Sequence, residues 1–165
     1  FAGLLGAYVM IATNTAAEWQ PFNLPIQIWI STAIILASSL TYMLAKRSVD
    51  ADSFLAARKW LIATTVLGGI FVSSQLVLWI ELVNRGFYMT GNPYAGFFYI
   101  LTAAHLVHVA GGIAALSSIL LRSWYPAAGP AEVERRRAIA RSVGWYWHFM
   151  GALWVVLFLM LGFWK

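Results

Sequence analysis

Residues 97–112 read FFYILTAAHLVHVAGG, an apolar run with two histidines, His105 and His108, in its middle. A run this apolar reads as part of a membrane-crossing helix, which needs about 20 mostly apolar residues to span the hydrocarbon core. Histidine is expensive in that setting, so a pair there marks a site by default. At i and i+3 the two rings are expected on one helical face. A third histidine, His148, lies in a second such run, GWYWHFMGALW at residues 144–154. Three rings of this kind could bind a metal or haem, relay protons, or hydrogen-bond between helices.

The rest of the chain is equally apolar. Of 165 residues, 61 % are hydrophobic and only 10 % charged, with a mean hydropathy of +0.74. A water-soluble domain of this size needs more charge than that on its surface, so an all-α integral membrane protein is expected. The absence of cysteine excludes disulfides, iron–sulfur clusters and thiolate metal sites.

Five spans are expected, forming a single transmembrane helical domain over residues 1–165. Phe1 to about Thr13 is too short alone, and is read as the outer half of a span truncated at its N-terminus. Asn14 to Asn23, with Glu18, Trp19 and Pro21, is a polar connection. Pro25 opens the second span, about Pro25 to Ala45, in the first turn, where a helix tolerates proline. The third runs from about Trp60 to Val83. A loop with Arg85, Gly91, Asn92 and Pro93 leads to the fourth, about Tyr94 to Leu121, and the fifth is about Val143 to Trp164.

Charge orients the bundle. Lys46, Arg47, Arg58 and Lys59 lie in a loop at 46–59, and Arg122, Arg135, Arg136, Arg137 and Arg141 in a loop at 122–141; only Arg85 and Lys165 lie opposite. Both basic loops are therefore expected in the cytoplasm and the C-terminus outside. This distribution accounts for the net charge of +5 through topology and anionic lipid, with no need for nucleic acid. Headgroup contacts are expected from Arg58, Trp60, Arg122, Arg141 and Trp145.

Stripes of small residues permit close helix packing in lipid. Thr65, Gly69 and Ser73 form one on the third span, Gly144, His148 and Gly151 one on the fifth, and Ser31, Ser38 and Tyr42 one on the second. Trp60, Trp79, Trp124, Trp145 and Trp164 lie near span ends, as interfacial anchors do.

Three histidines cannot make the four-ring set of a di-haem site, and the two on one face cannot ligate one iron from opposite sides. A three-histidine zinc or copper site is chemically open, but no carboxylate or thiolate lies beside these rings. The favoured expectation is an intramembrane polar and packing cluster of Gln75, Glu81, Thr102, His105, His108, His148 and Gly151, hydrogen-bonded between helices. Glu81 is the one acidic residue within any span and can snorkel or pair with Arg85 at i+4, so the chain cannot form a complete proton path alone. No catalytic residue, metal ligand or cofactor ligand is expected, since there is no phosphate-binding glycine loop, nucleophile elbow or carboxylate pair.

At these motifs the chain resembles subunit III of the haem-copper oxidases, most of all the bacterial five-span cytochrome c oxidase type. Thr102, His105, His108, Val109 and Gly112 match one family signature, and Trp145, Tyr146, Trp147, His148, Phe149 and Trp154 another. Leu24, Pro25, Thr32, Ser38 and Ser39 match a third segment, and Gly69, Phe71, Gln75 and Trp79 a fourth. The chain departs from the pattern at Leu78 and Gly151, where the family usually has acidic residues, and the family's buried glutamate would precede Phe1.

The resemblance implies a non-catalytic subunit of the bacterial cytoplasmic membrane without a prosthetic group of its own. It implies a place beside catalytic subunit I, which carries the haems and copper, and beside further oxidase subunits. It implies structural phospholipids in a cleft between the early helices and the rest, and support for proton uptake as O2 is reduced to water. A similar accessory protein of a quinol oxidase or nitric oxide reductase, and a small haem- or metal-binding membrane protein, are the alternative readings. The charge pattern makes a direct prediction: alkaline phosphatase fused after Lys165 is active in the periplasm, and fused within 46–59 or 122–141 is inactive; the reverse pattern would invert the topology.

Overall fold

The computed structural model describes residues 2–14, 26–51, 53–86, 93–126 and 128–163. They form five helices: α1 (Ala2–Asn14), α2 (Ile26–Asp50), α3 (Phe54–Asn84), α4 (Pro93–Arg122) and α5 (Pro130–Phe163). Four of them, α2 to α5, are long and apolar enough to cross a membrane, whereas α1 has 13 residues. The expected connection through Glu18, Trp19 and Pro21, the helix-opening Pro25, the loop at Gly91 and Asn92, and Trp164 with Lys165 lie outside the described residues.

Both basic segments are shorter as loops than the sequence reading has them. Helix α2 continues through Lys46 to Asp50, and α3 begins at Phe54. Alanine, lysine and arginine favour helix, and a helix leaving hydrocarbon keeps its backbone bonds internal, so nothing ends it at the polar boundary. Likewise α5 begins at Pro130, where proline suits the first turn, and runs 34 residues, about 50 Å at 1.5 Å per residue. That exceeds a hydrocarbon core by roughly 20 Å, so its basic N-terminal third lies beyond the apolar span. Glu132 holds that end: its carboxylate accepts the Ala128 N–H at 2.6 Å and pairs with Arg136 at 2.6 Å. Arg136 in turn donates to the carbonyls of Arg122 and Tyr125 at 2.9 and 2.8 Å, capping the C-terminal end of α4.

The helices pack as a ring. Helix α2 lies along α3, α3 against α4, α4 against α5, and α5 returns to α2, while α1 touches α4. The buried face of α3 runs through Leu61, Thr64, Gly68, Phe71, Gln75, Leu78 and Leu82, a seam of alternating steps of three and four. Of the stripe expected at Thr65, Gly69 and Ser73, the first two lie one residue off this seam and Ser73 two. Ser73 is exposed, and a Cβ on Gly69 would meet nothing within 4 Å. Gly68 is the packed glycine because a large side chain occupies its face. A Cβ there would lie 2.8 Å from the Trp147 ring, and a Cβ on Gly112 of α4 3.0 Å from the same ring.

Trp147 thus inserts from α5 between Gly68 of α3 and Gly112 of α4, and its Nε1 donates to Ser38 Oγ of α2 at 2.9 Å. The stripes expected on α2 and α5 meet at Tyr42, which packs against Gly144 and His148. Ser31, Ser38 and Tyr42 are buried, Gly144 abuts the Tyr42 ring, and a Cβ on Gly151 would lie 3.2 Å from Ser39 Oγ. Tyr42 donates to the Ala140 carbonyl, Trp154 Nε1 to Thr32 Oγ1 at 3.1 Å, and Tyr94 to the Leu161 carbonyl at 2.5 Å. Between α2 and α3 the links are hydroxyl pairs, Ser31 with Ser74 and Thr41 with Thr64, each at 2.8 Å. Interhelical bonds of this kind contribute about 0.5–2 kcal/mol each.

Adjacent glycines test the seam. Gly68→Ala should destabilise the protein by about 1–3 kcal/mol, because the pinned ring has no room to move. Gly69→Ala should be neutral or stabilising by up to about 1 kcal/mol through helix propensity; thermal midpoints in mild detergent separate them. The Ala128 N–H, and after it Arg136, holds the Glu132 carboxyl below its ordinary value of 4.5. Its stabilising effect is therefore complete above that value and lost as pH falls through the lowered one. Hydrogen exchange at the Ala128 amide should accelerate, relative to its intrinsic rate, across that acidic window, and Glu132→Gln should abolish this change.

Candidate functional site

The interior between α3 and α4 holds the buried polar side chains Gln75, Thr102 and His105. His105 is fully buried on α4. Its ring lies edge-on to Phe71 at 6.0 Å and tilted by 32° against Trp154 at 5.3 Å, and Phe71 meets Trp154 edge-on at 4.9 Å. One imidazole and two aromatic rings from three helices thus close a compact group, with the polar ring inside it. Three residues earlier on α4, the Thr102 hydroxyl donates to the Phe98 carbonyl at 2.6 Å and accepts Trp79 Nε1 at 3.2 Å. Gln75 is buried on the same seam of α3, between Phe71 and Trp79. The Phe71–His105 and Trp79–Thr102 contacts bracket it, and its amide oxygen and nitrogen have no hydrogen-bond partner among the described residues.

The other expected members lie elsewhere. His108 faces outward, with its ring Nδ1 2.7 Å from the Ala104 carbonyl, and its own carbonyl accepts Tyr146 Oη at 2.8 Å. Three residues turn a helix by about 300°, so His108 falls roughly 60° from His105, past the edge of the buried face. The expectation of two rings on one face does not hold here. His148 is half-buried on α5 and lies edge-on to Tyr42 at 5.8 Å. Glu81 pairs with Arg85 near the end of α3, as its i+4 spacing predicts, and Gly151 packs on Ser39. The structure therefore brings together Gln75, Thr102 and His105, and distributes Glu81, His108, His148 and Gly151 over other parts of the bundle.

The three histidines do not converge. They point inward, outward and towards α2, and among the described residues no three His, Cys, Asp or Glu side chains converge. Trp147, Trp154, Phe71 and Ser38 carry more of the interior than the sequence reading gave them. No spacing in the sequence pairs Gly68 with Gly112; the ring that faces both comes from a third helix.

The expected headgroup residues gather at the opposite, basic end. Arg58 donates to the Ser123 carbonyl at 2.6 Å and stacks 4.5 Å above the Trp124 ring. Arg122, Arg141 and Trp145 are exposed, and Trp60 packs partly buried against the core.

Known proteins are similar in sequence over nearly the whole chain. A protein of Nocardia farcinica named as probable cytochrome c oxidase subunit 3 is 30 % identical over 99 % of this chain and 80 % of its own length. Cytochrome c oxidase subunit 3 of Thermostichus vulcanus is 28 % identical over 98 % of this chain and 78 % of its own. Cytochrome bo(3) ubiquinol oxidase subunit 3 of Pseudomonas aeruginosa is 27 % identical over 96 % and 75 %. The family model for cytochrome c oxidase subunit III matches residues 8–165. With nearly every described helix inside that match and the two histidine motifs forming its α4 and α5, the chain belongs to the cytochrome c oxidase subunit III family.

Proposed function

We propose that the chain is a non-catalytic accessory subunit of a haem-copper respiratory oxidase of the cytochrome c oxidase type. In this reading it packs beside catalytic subunit I, which carries the haems and copper, and beside further oxidase subunits. It holds structural phospholipids and supports proton uptake while the complex reduces O2 to water. It crosses the bacterial cytoplasmic membrane five times, as one domain, with the basic ends of its helices in the cytoplasm and its C-terminus outside.

The observation that carries this reading is the use made of the two histidine motifs within the family match. Trp147 and Trp154 bond to Ser38 and Thr32, and His105 is enclosed by Phe71 and Trp154. Residues that resemble ligands thus serve the interior of a scaffold. Large apolar side chains point outward all round the bundle, among them Trp29, Ile30, Val66, Ile80 and Val107, as a chain embedded in lipid and partner helices requires. In this reading Glu81, paired with Arg85 near one end of α3, anchors that end. The relation to a ubiquinol oxidase subunit 3 favours one second reading, in which the same scaffold serves a quinol-fed oxidase.

Purification of the tagged chain in mild detergent tests the assignment. A large haem-bearing chain should co-purify, and oxidation of reduced cytochrome c, against quinol, decides between the two oxidases; a chain that purifies alone would sink both. His105→Leu should leave the haem spectrum of that complex unchanged while shifting the stability of the subunit by about 1–3 kcal/mol; a changed spectrum would assign the ring to a haem. Complex lacking this chain should begin turnover normally and lose activity faster than the complete one, measured as O2 consumption over time.

A further inference from the structure

Gln75 is 0 % exposed, and neither its amide oxygen nor its amide nitrogen has a hydrogen-bond partner among the described residues. A primary amide carries two N–H donors and an oxygen with two lone pairs. Left without bonds such a group is costly to bury, and most of all in a bundle surrounded by hydrocarbon, where no bulk water can serve it. Elsewhere the helices satisfy their polar groups directly. Hydroxyl pairs join α2 to α3 at Ser31–Ser74 and Thr41–Thr64, and indole N–H groups of α5 reach α2 from Trp147 and Trp154.

The surroundings of the amide narrow what can satisfy it. Phe71 and Trp79 each stand four residues from Gln75 and each meet α4, at His105 and at Thr102, so the amide is held between two contacts of the same pair of helices. With no exposed surface, it is closed to a lipid and to a side chain of another protein. Its ligand is therefore small enough to be enclosed, and it must both donate and accept. A monatomic ion would find no charged side chain on the buried face of α3, and an apolar gas can neither donate nor accept. Water does both. Folded proteins hold on the order of one buried water per 27 residues, each bonded to about 2–4 polar groups that lack other partners.

Thr102 offers the second anchor. Its hydroxyl donates to the Phe98 carbonyl and accepts Trp79 Nε1, which leaves one lone pair of its oxygen for a further donor. We propose that Gln75 holds one or two internal water molecules between α3 and α4, its Nε2 donating to water, its Oε1 accepting from water, and the bonds ending on Thr102 Oγ1. The joint between α3 and α4 is then made through water, whereas those of α2 with α3 and α5 are direct. It also fixes the register of α3 on α4, because one step of rotation, about 100°, would carry the amide off the water. This site is independent of the accessory-subunit reading, since it lies wholly inside the chain.

The test is a high-resolution cryo-electron microscopy map of the full chain, purified in mild detergent with whatever partner accompanies it. Density for water should lie about 2.7–3.2 Å from the Gln75 amide, and it should be lost in Gln75→Leu, which keeps the bulk of the side chain without its polar atoms. Hydroxyl-radical labelling by an X-ray pulse in isotopically heavy water gives a second readout. A ring as enclosed as Phe71, 0 % exposed, is oxidised only where water lies against it. Phe71 should take up the heavy label in the wild-type chain and lose it in Gln75→Leu. If Gln75→Leu fails to fold, the wild-type map and the wild-type labelling decide. An amide without water in the wild-type map would overturn the proposal, as would a direct hydrogen bond from it to Thr102 or His105. Equal labelling of Phe71 in the wild type and Gln75→Leu would overturn it as well.

Discussion

The bundle depends on the insertion of one indole. Trp147 leaves α5, fills the gap that Gly68 of α3 and Gly112 of α4 leave open, and ends in a hydrogen bond to Ser38 of α2. Four helices meet through one side chain. In lipid there is little hydrophobic gain from bringing helices together, since the surrounding tails are as apolar as the side chains. Close packing and satisfied polar groups have to supply the attraction, and a ring that both fills a groove and donates one bond supplies each of them.

The same economy of means recurs along the bundle. Trp154 donates to Thr32, Trp79 to Thr102, Tyr42 to Ala140 and Tyr94 to Leu161. Each is an aromatic side chain whose apolar body packs and whose polar tip reaches a neighbouring helix, which suits a site where an unsatisfied donor is costly. Set among these, His105 is a further ring in an aromatic interior, where the polar edge of imidazole is enclosed by Phe71 and Trp154. Gln75 differs, because its buried amide has no partner among the described residues, and it is the polar group in this interior whose role packing does not account for.

The two ends of the molecule obey different physics. The apolar middle is held by fit, whereas the basic end is held by charge and by carbonyl caps, with Arg136 bridging Glu132 to the end of α4. Both ends belong to one accessory subunit of the cytochrome c oxidase subunit III family.

Hydropathy, charge and small-residue spacing were enough to read helices α2 to α5, their order, the i+4 pair of Glu81 and Arg85, and the stripes on α2 and α5, because each is a local or strictly periodic property of the chain. The family was legible for a related reason: the signatures around His105 and His148 are local strings. The rest was not. Whether Gly68 or Gly69 packs is a rotation of one residue, about 100°, and whether His108 joins His105 turns on how far the buried face reaches round the helix; small-residue spacing fixes neither. Where the basic loops end is set by helix propensity that continues past the apolar span. The packed structure makes the first choice through Trp147, a ring from a helix some 35 to 80 positions further along the chain than the glycines it meets, and the second through Phe71 and Trp154, which pack on His105.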